Sequence, residues 1–181
     1  MTPAGLITNG TQTAYVLALH FGLIPPEQSA RAARELVRLI ERNGFHLATG
    51  FVGTPYILDV LTQHDYLDIA YKLLEQETFP SWLFPVKNGA TTIWERWDGW
   101  TPDKGVQCKE MNSFNHYAYG AVGDWMYRVM AGLDLDPNEP GYRHIIFRPR
   151  PGGSITWAKA RLRLPAGEIA VEWQVRDDSF S

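Results

Sequence analysis

Cysteine is nearly missing from this chain. A single cysteine, Cys108, stands among 181 residues, which excludes an internal disulfide framework and any cysteine-built zinc cluster. No run of lysine or arginine occurs and the net charge is −3, so neither nucleic acid nor an anionic membrane is expected as the main partner. No apolar stretch approaches the roughly 20 residues that a membrane span needs. The first residues lack a basic region followed by an apolar one, and on the residues present the chain is expected to be cytoplasmic with a free thiol. Gly-x-Gly-x-x-Gly, Walker and His-Glu-x-x-His patterns are also missing. The histidines at positions 20, 46, 64, 116 and 144 are scattered without ligand spacing, so no metal and no cofactor is expected. His20, His46 and His64 read most economically as structural residues.

What remains is an ordinary globular composition, 45% apolar and 20% charged, enough for one substantial core and part of a second. Residues 13–21 are strongly apolar and stop at Gly22, and Pro25-Pro26 opens a second helix that runs to Arg42 and is closed by Asn43-Gly44. In that helix Ala32, Leu36, Leu39 and Ile40 share one face, while Arg31, Arg34, Glu35, Arg38, Glu41 and Arg42 mostly point away, the 3.6-residue period of an amphipathic helix. Residues 55–63 and 66–76 repeat the pattern as a second helical hairpin. Ser113 is expected to cap a long helix running to about Met130, before Gly132. Paired helices joined by long aromatic loops predict a mainly α architecture, helices wound about an axis with a site at one end, as in an α/α toroid.

From Arg143 the character changes to β, which places the expected domains at residues 1–142 and 143–181. Residues 143–148 form an extended apolar run, and 149–153 a turn or linker. In residues 154–164, Ile155, Trp157, Lys159, Arg161 and Arg163 alternate with Thr156, Ala158, Ala160, Leu162 and Leu164. Pro165-Ala-Gly167 then turns the chain into a strand with Ile169, Val171, Trp173 and Val175 on its apolar side. Two or three strands rarely make a stable sheet alone, so the sheet is expected to be incomplete and the chain to be part of a longer polypeptide.

The densest chemistry lies in Gly89-Ala-Thr-Thr-Ile-Trp-Glu-Arg-Trp-Asp-Gly-Trp100, where Glu95 stands among Trp94, Trp97 and Trp100. Sugar rings pack their C–H faces on indole, and their hydroxyls take carboxylate and guanidinium partners such as Glu95, Arg96 and Asp98. The competing reading is core packing. Four of the seven tryptophans, counting Trp82, fall between positions 82 and 100, a clustering interleaved with charge that favours a carbohydrate site. A second segment, Met111-Asn-Ser-Phe-Asn-His-Tyr-Ala-Tyr-Gly120, carries Asn112, Ser113, Asn115, His116 and Tyr117, whose burial needs hydrogen-bond partners of the kind sugar hydroxyls supply. Helix capping with aromatic packing is its alternative. If the two segments lie side by side, Glu95 and His116 share one pocket. The glycines of Gly5-Leu-Ile and of Gly50-Phe-Val-Gly53 are expected to serve backbone geometry rather than phosphate binding.

Thr49-Gly-Phe-Val-Gly-Thr54, Pro80-Ser-Trp82, the Gly89–Gly99 and Met111–Gly120 segments and Pro140-Gly-Tyr142 together resemble, collinearly over nearly the whole chain, the carboxy-terminal half of bacterial α-L-rhamnosidases. The resemblance implies part of an (α/α)6 catalytic barrel followed by the first strands of an antiparallel β-sandwich. It also implies hydrolysis of terminal α-L-rhamnosyl residues in a rhamnose-containing glycoside, with inversion and without a catalytic metal. Glu95 matches the family's general base and His116 a histidine of the rhamnose subsite, while Trp94, Trp97 and Asp98 are weaker candidates for the same wall. Arg96 is expected to orient Glu95 or lower its pKa, with a structural ion pair as the alternative. The family's general acid lies in an acidic segment of the first half of the barrel, which has no counterpart here. That missing half is therefore an expected partner, and the chain alone is expected to be weak or inactive. Two rivals stay open: a glucoside-acting inverting toroid glycosidase, and a non-catalytic carbohydrate-binding or assembly piece.

Overall fold

The structure is a computed structural model that describes residues 6–176 and the backbone of Ser179 and Phe180; Gly5 lies outside the described residues. The chain divides into two compact units, Met1–Ala121 and Val122–Ser181.

The first unit is helical. α1 (Gln12–His20) is capped by the Thr11 hydroxyl, which accepts from the Ala14 N–H at 3.2 Å, one of the donors that every helix start leaves without a partner. α2 (Pro26–Arg42) starts on a proline already fixed at helical φ and buries Ala32, Ala33, Leu36, Val37 and Ile40. Leu39, expected on that face, is only half-buried. α3 (Thr54–Gln63) and α4 (Leu67–Leu74) form the second hairpin. α1 packs on α2 and α3, and α3 on α4, so Tyr15, Leu36, Ile40, Ile57, Leu61 and Leu73 become fully buried. Each such side chain contributes about 1.5–3 kcal/mol by leaving water. The buried Gln12 amide is satisfied on both sides: its Nε2 donates to His46 O at 3.1 Å and its Oε1 accepts from Ala48 N at 2.8 Å. That pair anchors the α2–α3 connection to the base of α1.

Beyond α4 a one-turn helix, α5 (Leu83–Lys87), and a two-residue-per-strand hairpin, β1 (Trp100–Thr101) with β2 (Gly105–Val106), are the only regular elements before Ala118 among the described residues. The long helix expected from Ser113 to Met130 does not form as one element. Residues 118–121 make a 3-10 turn that ends the first unit, and the second unit opens with α6 (Val122–Trp125) and a π-helical turn at Met126–Met130. Ser113 fails as a cap because its hydroxyl accepts from Asn115 N at 3.2 Å in a local turn and its backbone is taken up by Glu95.

The second unit holds small antiparallel pairs. β3 (Leu133–Leu135) pairs with β4 (Ile145–Phe147), with Leu133 opposite Phe147, so β structure begins ten residues before the expected change at Arg143. Three residues carry too little periodicity to be read alone; the pairing partner makes the strand. β5 (Trp157–Leu164) and β6 (Gly167–Arg176) form a hairpin in which Leu164 faces Gly167, and β7 (Ser179–Phe180) continues from β6. The alternation holds: Ala158, Ala160 and Trp173 are buried, while Trp157, Lys159, Arg161 and Arg163 are exposed. The Trp173 indole N–H donates to Met130 O at 2.8 Å, tying this hairpin to the π-helical turn. Gly132 makes the return possible. Its φ is +77°, and a Cβ there would stand 2.1 Å from Pro149 N and 2.4 Å from Pro149 Cα. Gly132→Ala is therefore expected to destabilise the second unit by on the order of 3 kcal/mol or more, read as a shift of its urea midpoint.

Candidate active site

Three connections of the first unit converge. The α2–α3 loop meets the α4–α5 loop through Gln76 Nε2, which donates to Phe45 O at 3.4 Å, and through His46 Nε2 against Thr78 Oγ1 at 2.7 Å. The same α2–α3 loop meets residues 88–117 where the Phe51 ring stacks on His116, centroids 4.9 Å apart. Phe51 stands on a tight bend in which the buried Thr49 and Thr54 hydroxyls bond each other at 2.8 Å. A Cβ on Gly53 would lie 3.0 Å from the Thr49 methyl, so this glycine serves close backbone packing.

Residues 92–95 and 113–116 are laced together by backbone bonds. Glu95 N donates to Ser113 O at 2.8 Å and His116 N to Ile93 O at 2.8 Å, while the Thr92 hydroxyl donates to Phe114 O. The fourth tie involves a side chain: Ser113 N donates to Glu95 Oε2 at 2.7 Å. A short N–H to carboxylate bond of this kind fixes a side chain far better than packing alone. Oε1 of the same carboxylate accepts no hydrogen bond among the described residues. Asn112 Nδ2 donates to Gly99 O at 2.8 Å, holding the far end of the loop, and a Cβ on Gly99 would meet Asn112 Oδ1 at 2.7 Å. The two segments lie side by side, the condition set for Glu95 and His116 to share a pocket, although the open cavity beside His116 is not lined by Glu95.

His116 has its ring between Phe51 and Tyr117, the latter 5.1 Å away and stacked at 12°. Ala118 N donates to His116 Nδ1 at 3.3 Å, so the ring proton sits on Nε2, which is left as a donor. An open cavity of about 510 Å³ is lined by Thr92, Ile93, Asn115, His116, Tyr117 and Gly120. Tyr117 is 88% exposed at its rim.

The tryptophans stand behind this surface. Trp94 and Trp97 are 8% and 9% exposed; Trp94 meets the edge of Phe114, and Trp97 is stacked on Tyr119 with centroids 3.7 Å apart and meets Trp82 edge-on. The Trp82 indole N–H donates to Tyr119 O at 3.0 Å. Arg96 points its guanidinium at Asp98, Nε and Nη2 each 3.2 Å from Oδ1, the ion-pair alternative for this residue. Phe51, Tyr119 and the Ser113 backbone are the parts that reasoning on the sequence did not single out. Phe51 and Tyr119 lie inside quoted motifs, but nothing in the residue types says which ring faces which.

Comparison with known proteins decides the family. Residues 1–130 match the family model described as the bacterial α-L-rhamnosidase six-hairpin glycosidase domain, and residues 132–181 that of the bacterial α-L-rhamnosidase C-terminal domain. The chain belongs to the bacterial α-L-rhamnosidase family. It is 51% identical over 176 residues to an α-L-rhamnosidase of Streptomyces avermitilis, covering 97% of this chain and 17% of that protein. The crystal structure of Streptomyces avermitilis α-L-rhamnosidase complexed with L-rhamnose superposes with a TM-score of 0.94 at 49% identity, covering 99% of this chain and 17% of that one. Native α-L-rhamnosidase from Aspergillus terreus superposes at 0.91 with 39% identity, over 96% of this chain and 20% of the other. The chain thus spans about a fifth or less of the length of these rhamnosidases. Its helical part is a portion of the six-hairpin glycosidase fold, followed by antiparallel strand pairs.

Within this rhamnosidase domain Tyr119 carries the resolved electrostatic perturbation of the site. Burial pushes its hydroxyl pKa above the ordinary tyrosine range; the Arg96 charge works against that shift and the Glu95 charge adds to it. An unfolded chain therefore ionises this tyrosine before the folded one does. Its contribution is intact below the ordinary tyrosine pKa and is lost as pH rises through the folded value. Tyr119→Phe is expected to remove part of the stability loss above about pH 10, measured as urea midpoints across an alkaline pH series.

Proposed function

We propose that this chain carries the general-base side of an inverting α-L-rhamnosidase site, with Glu95 as the base. The observation that carries the reading is the Ser113 N–H on Glu95 Oε2 at 2.7 Å, which aims one oxygen while the other is left to polarise a water. In this reaction the carboxylate takes a proton from water as that water attacks the anomeric carbon, on the ring face opposite the departing oxygen. A second carboxyl group, about 6.5–9.5 Å from the first, protonates the leaving oxygen. Asp98 is a poor candidate for that acid, because its oxygens are engaged by the Arg96 guanidinium, which has only protons to offer. The acid is assigned to a part of the barrel outside this chain.

The substrate assignment, a terminal α-L-rhamnosyl group of a rhamnose-containing glycoside, rests on family membership and on a close relative whose structure holds L-rhamnose. His116 Nε2–H is then a donor for a sugar hydroxyl, with Phe51 and Tyr117 as apolar walls beside it. Trp94 and Trp97 support the base from behind, and Arg96 with Asp98 holds the turn that follows it. Phe21 and Leu23, exposed between α1 and α2, favour assembly with further helices of the same barrel.

Two outcomes follow for p-nitrophenyl α-L-rhamnopyranoside. The chain combined with the upstream half of its barrel should hydrolyse it, and Glu95→Gln should lower kcat by about 10²–10⁴-fold; turnover indifferent to that substitution would remove Glu95 from the mechanism. His116→Ala should raise KM by on the order of tenfold, from the lost hydrogen bond and ring wall, with a smaller change in kcat.

A further inference from the structure

Asn112 stands directly before the residue whose amide holds Glu95, and its side chain takes no part in the reaction above. We propose that Asn112 is a positioning residue for the base: it fixes the peptide group whose N–H bonds Glu95, and so sets the direction of the carboxylate. The inference rests on Glu95 being the base.

The hydrogen bonds form a clamp with two grips. At the first, Ser113 N donates to Glu95 Oε2 at 2.7 Å and Glu95 N donates back to Ser113 O at 2.8 Å. At the second, further along the same loop, Gly99 O accepts from Asn112 Nδ2 at 2.8 Å. The N–H that reaches Glu95 belongs to the planar peptide group between Asn112 and Ser113, so its direction changes only through the torsions on either side of that plane. Glu95 N holds one flank of the plane and the Asn112 side chain holds the other. Gly99 is a fixed anchor: its N–H donates to Arg96 O at 3.2 Å, and its carbonyl accepts a further bond from Gln107 N at 3.2 Å.

Two further observations favour position over stability as the reason for this side chain. Asn112 Oδ1 is buried and accepts no hydrogen bond among the described residues. A buried amide oxygen without a partner costs free energy, so the contribution of the residue lies in its NH2 end, whose orientation a carbonyl partner fixes. Gly99 has no left-handed φ that would call for glycine, yet a Cβ there would stand 2.7 Å from Asn112 Oδ1 and 3.3 Å from Trp94. The absent side chain is the seat in which the amide lies. The partner that the polar Asn112 needs is thus Gly99 O and not a sugar hydroxyl, and Asn112 does not line the cavity beside His116. Its influence on the reaction passes through Glu95.

The test is steady-state hydrolysis of p-nitrophenyl α-L-rhamnopyranoside by the chain combined with the upstream half of its barrel, with Asn112→Ala introduced alone and together with Glu95→Gln. Alone, it should lower kcat by about 10–10²-fold and leave KM within about twofold, as expected for a misplaced reacting group with substrate binding intact. On the Glu95→Gln background it should lower kcat by no more than about twofold, because the carboxylate through which it acts is already gone. Asn112→Ser, whose hydroxyl stops one bond short of the Nδ2 position, carries the same expectations and keeps the test open if Asn112→Ala does not assemble. A kcat within about twofold of the parent, a loss that repeats in full on Glu95→Gln, or a raised KM with unchanged kcat overturns the positioning role while leaving Glu95 as the base. Full turnover by Glu95→Gln overturns the base, and this inference with it.

Discussion

One hydrogen bond governs the arrangement of the site: the Ser113 amide on the Glu95 carboxylate, 2.7 Å. Residues 88–117 contain no regular structure beyond a minimal hairpin and must still hold a side chain in place. Long loops of this kind inside a compact domain are functional more often than not. Here the backbone of one stretch supplies donors and acceptors to the other, Glu95 N to Ser113 O and His116 N to Ile93 O, and the carboxylate is itself one of the ties. Displacing the loop and displacing Glu95 are consequently the same event. A carboxylate that is part of the lacing has little freedom to lose when a substrate arrives, which is the physical meaning of preorganisation.

Aromatic rings carry that rigidity outward from the core. Trp82 meets Trp97, Trp97 is stacked on Tyr119, Tyr119 is tilted against Phe51, and Phe51 stacks on His116 and through it on Tyr117. The series begins with buried rings and ends with a tyrosine almost wholly in solvent. Each contact contributes about 0.5–1.5 kcal/mol beyond burial, and the aromatic density around Glu95 is explained as a graded support whose outer members are open to a ligand.

Some of this was legible in the sequence for definite reasons. α2 announced itself through Pro26, a 3.6-residue apolar face and Asn43-Gly44, and the β5–β6 hairpin through strict alternation about Pro165-Ala-Gly167. The two polar, aromatic segments that hold Glu95 and His116 stood out in the sequence, with core packing and helix capping as their alternatives, and their adjacency was legible only as a condition. The tie between them was not, because a backbone N–H has the same identity in every residue. Ser113 read as a helix cap for the same reason: its side chain suits a cap, and only the tertiary partner shows that its amide is occupied by Glu95. β3 depends on a partner ten residues away and carries no pattern of its own.

The most direct measurement is proton NMR of the first rhamnose released from an α-L-rhamnoside by the chain assembled with its upstream half, before mutarotation mixes the anomers. A base that delivers water to the face opposite the leaving group yields the β anomer first, and Glu95→Gln slows its formation by about 10²–10⁴-fold. Release of the α anomer first would make the reaction retaining and contradict the account, because Glu95 would then act as a nucleophile or not at all.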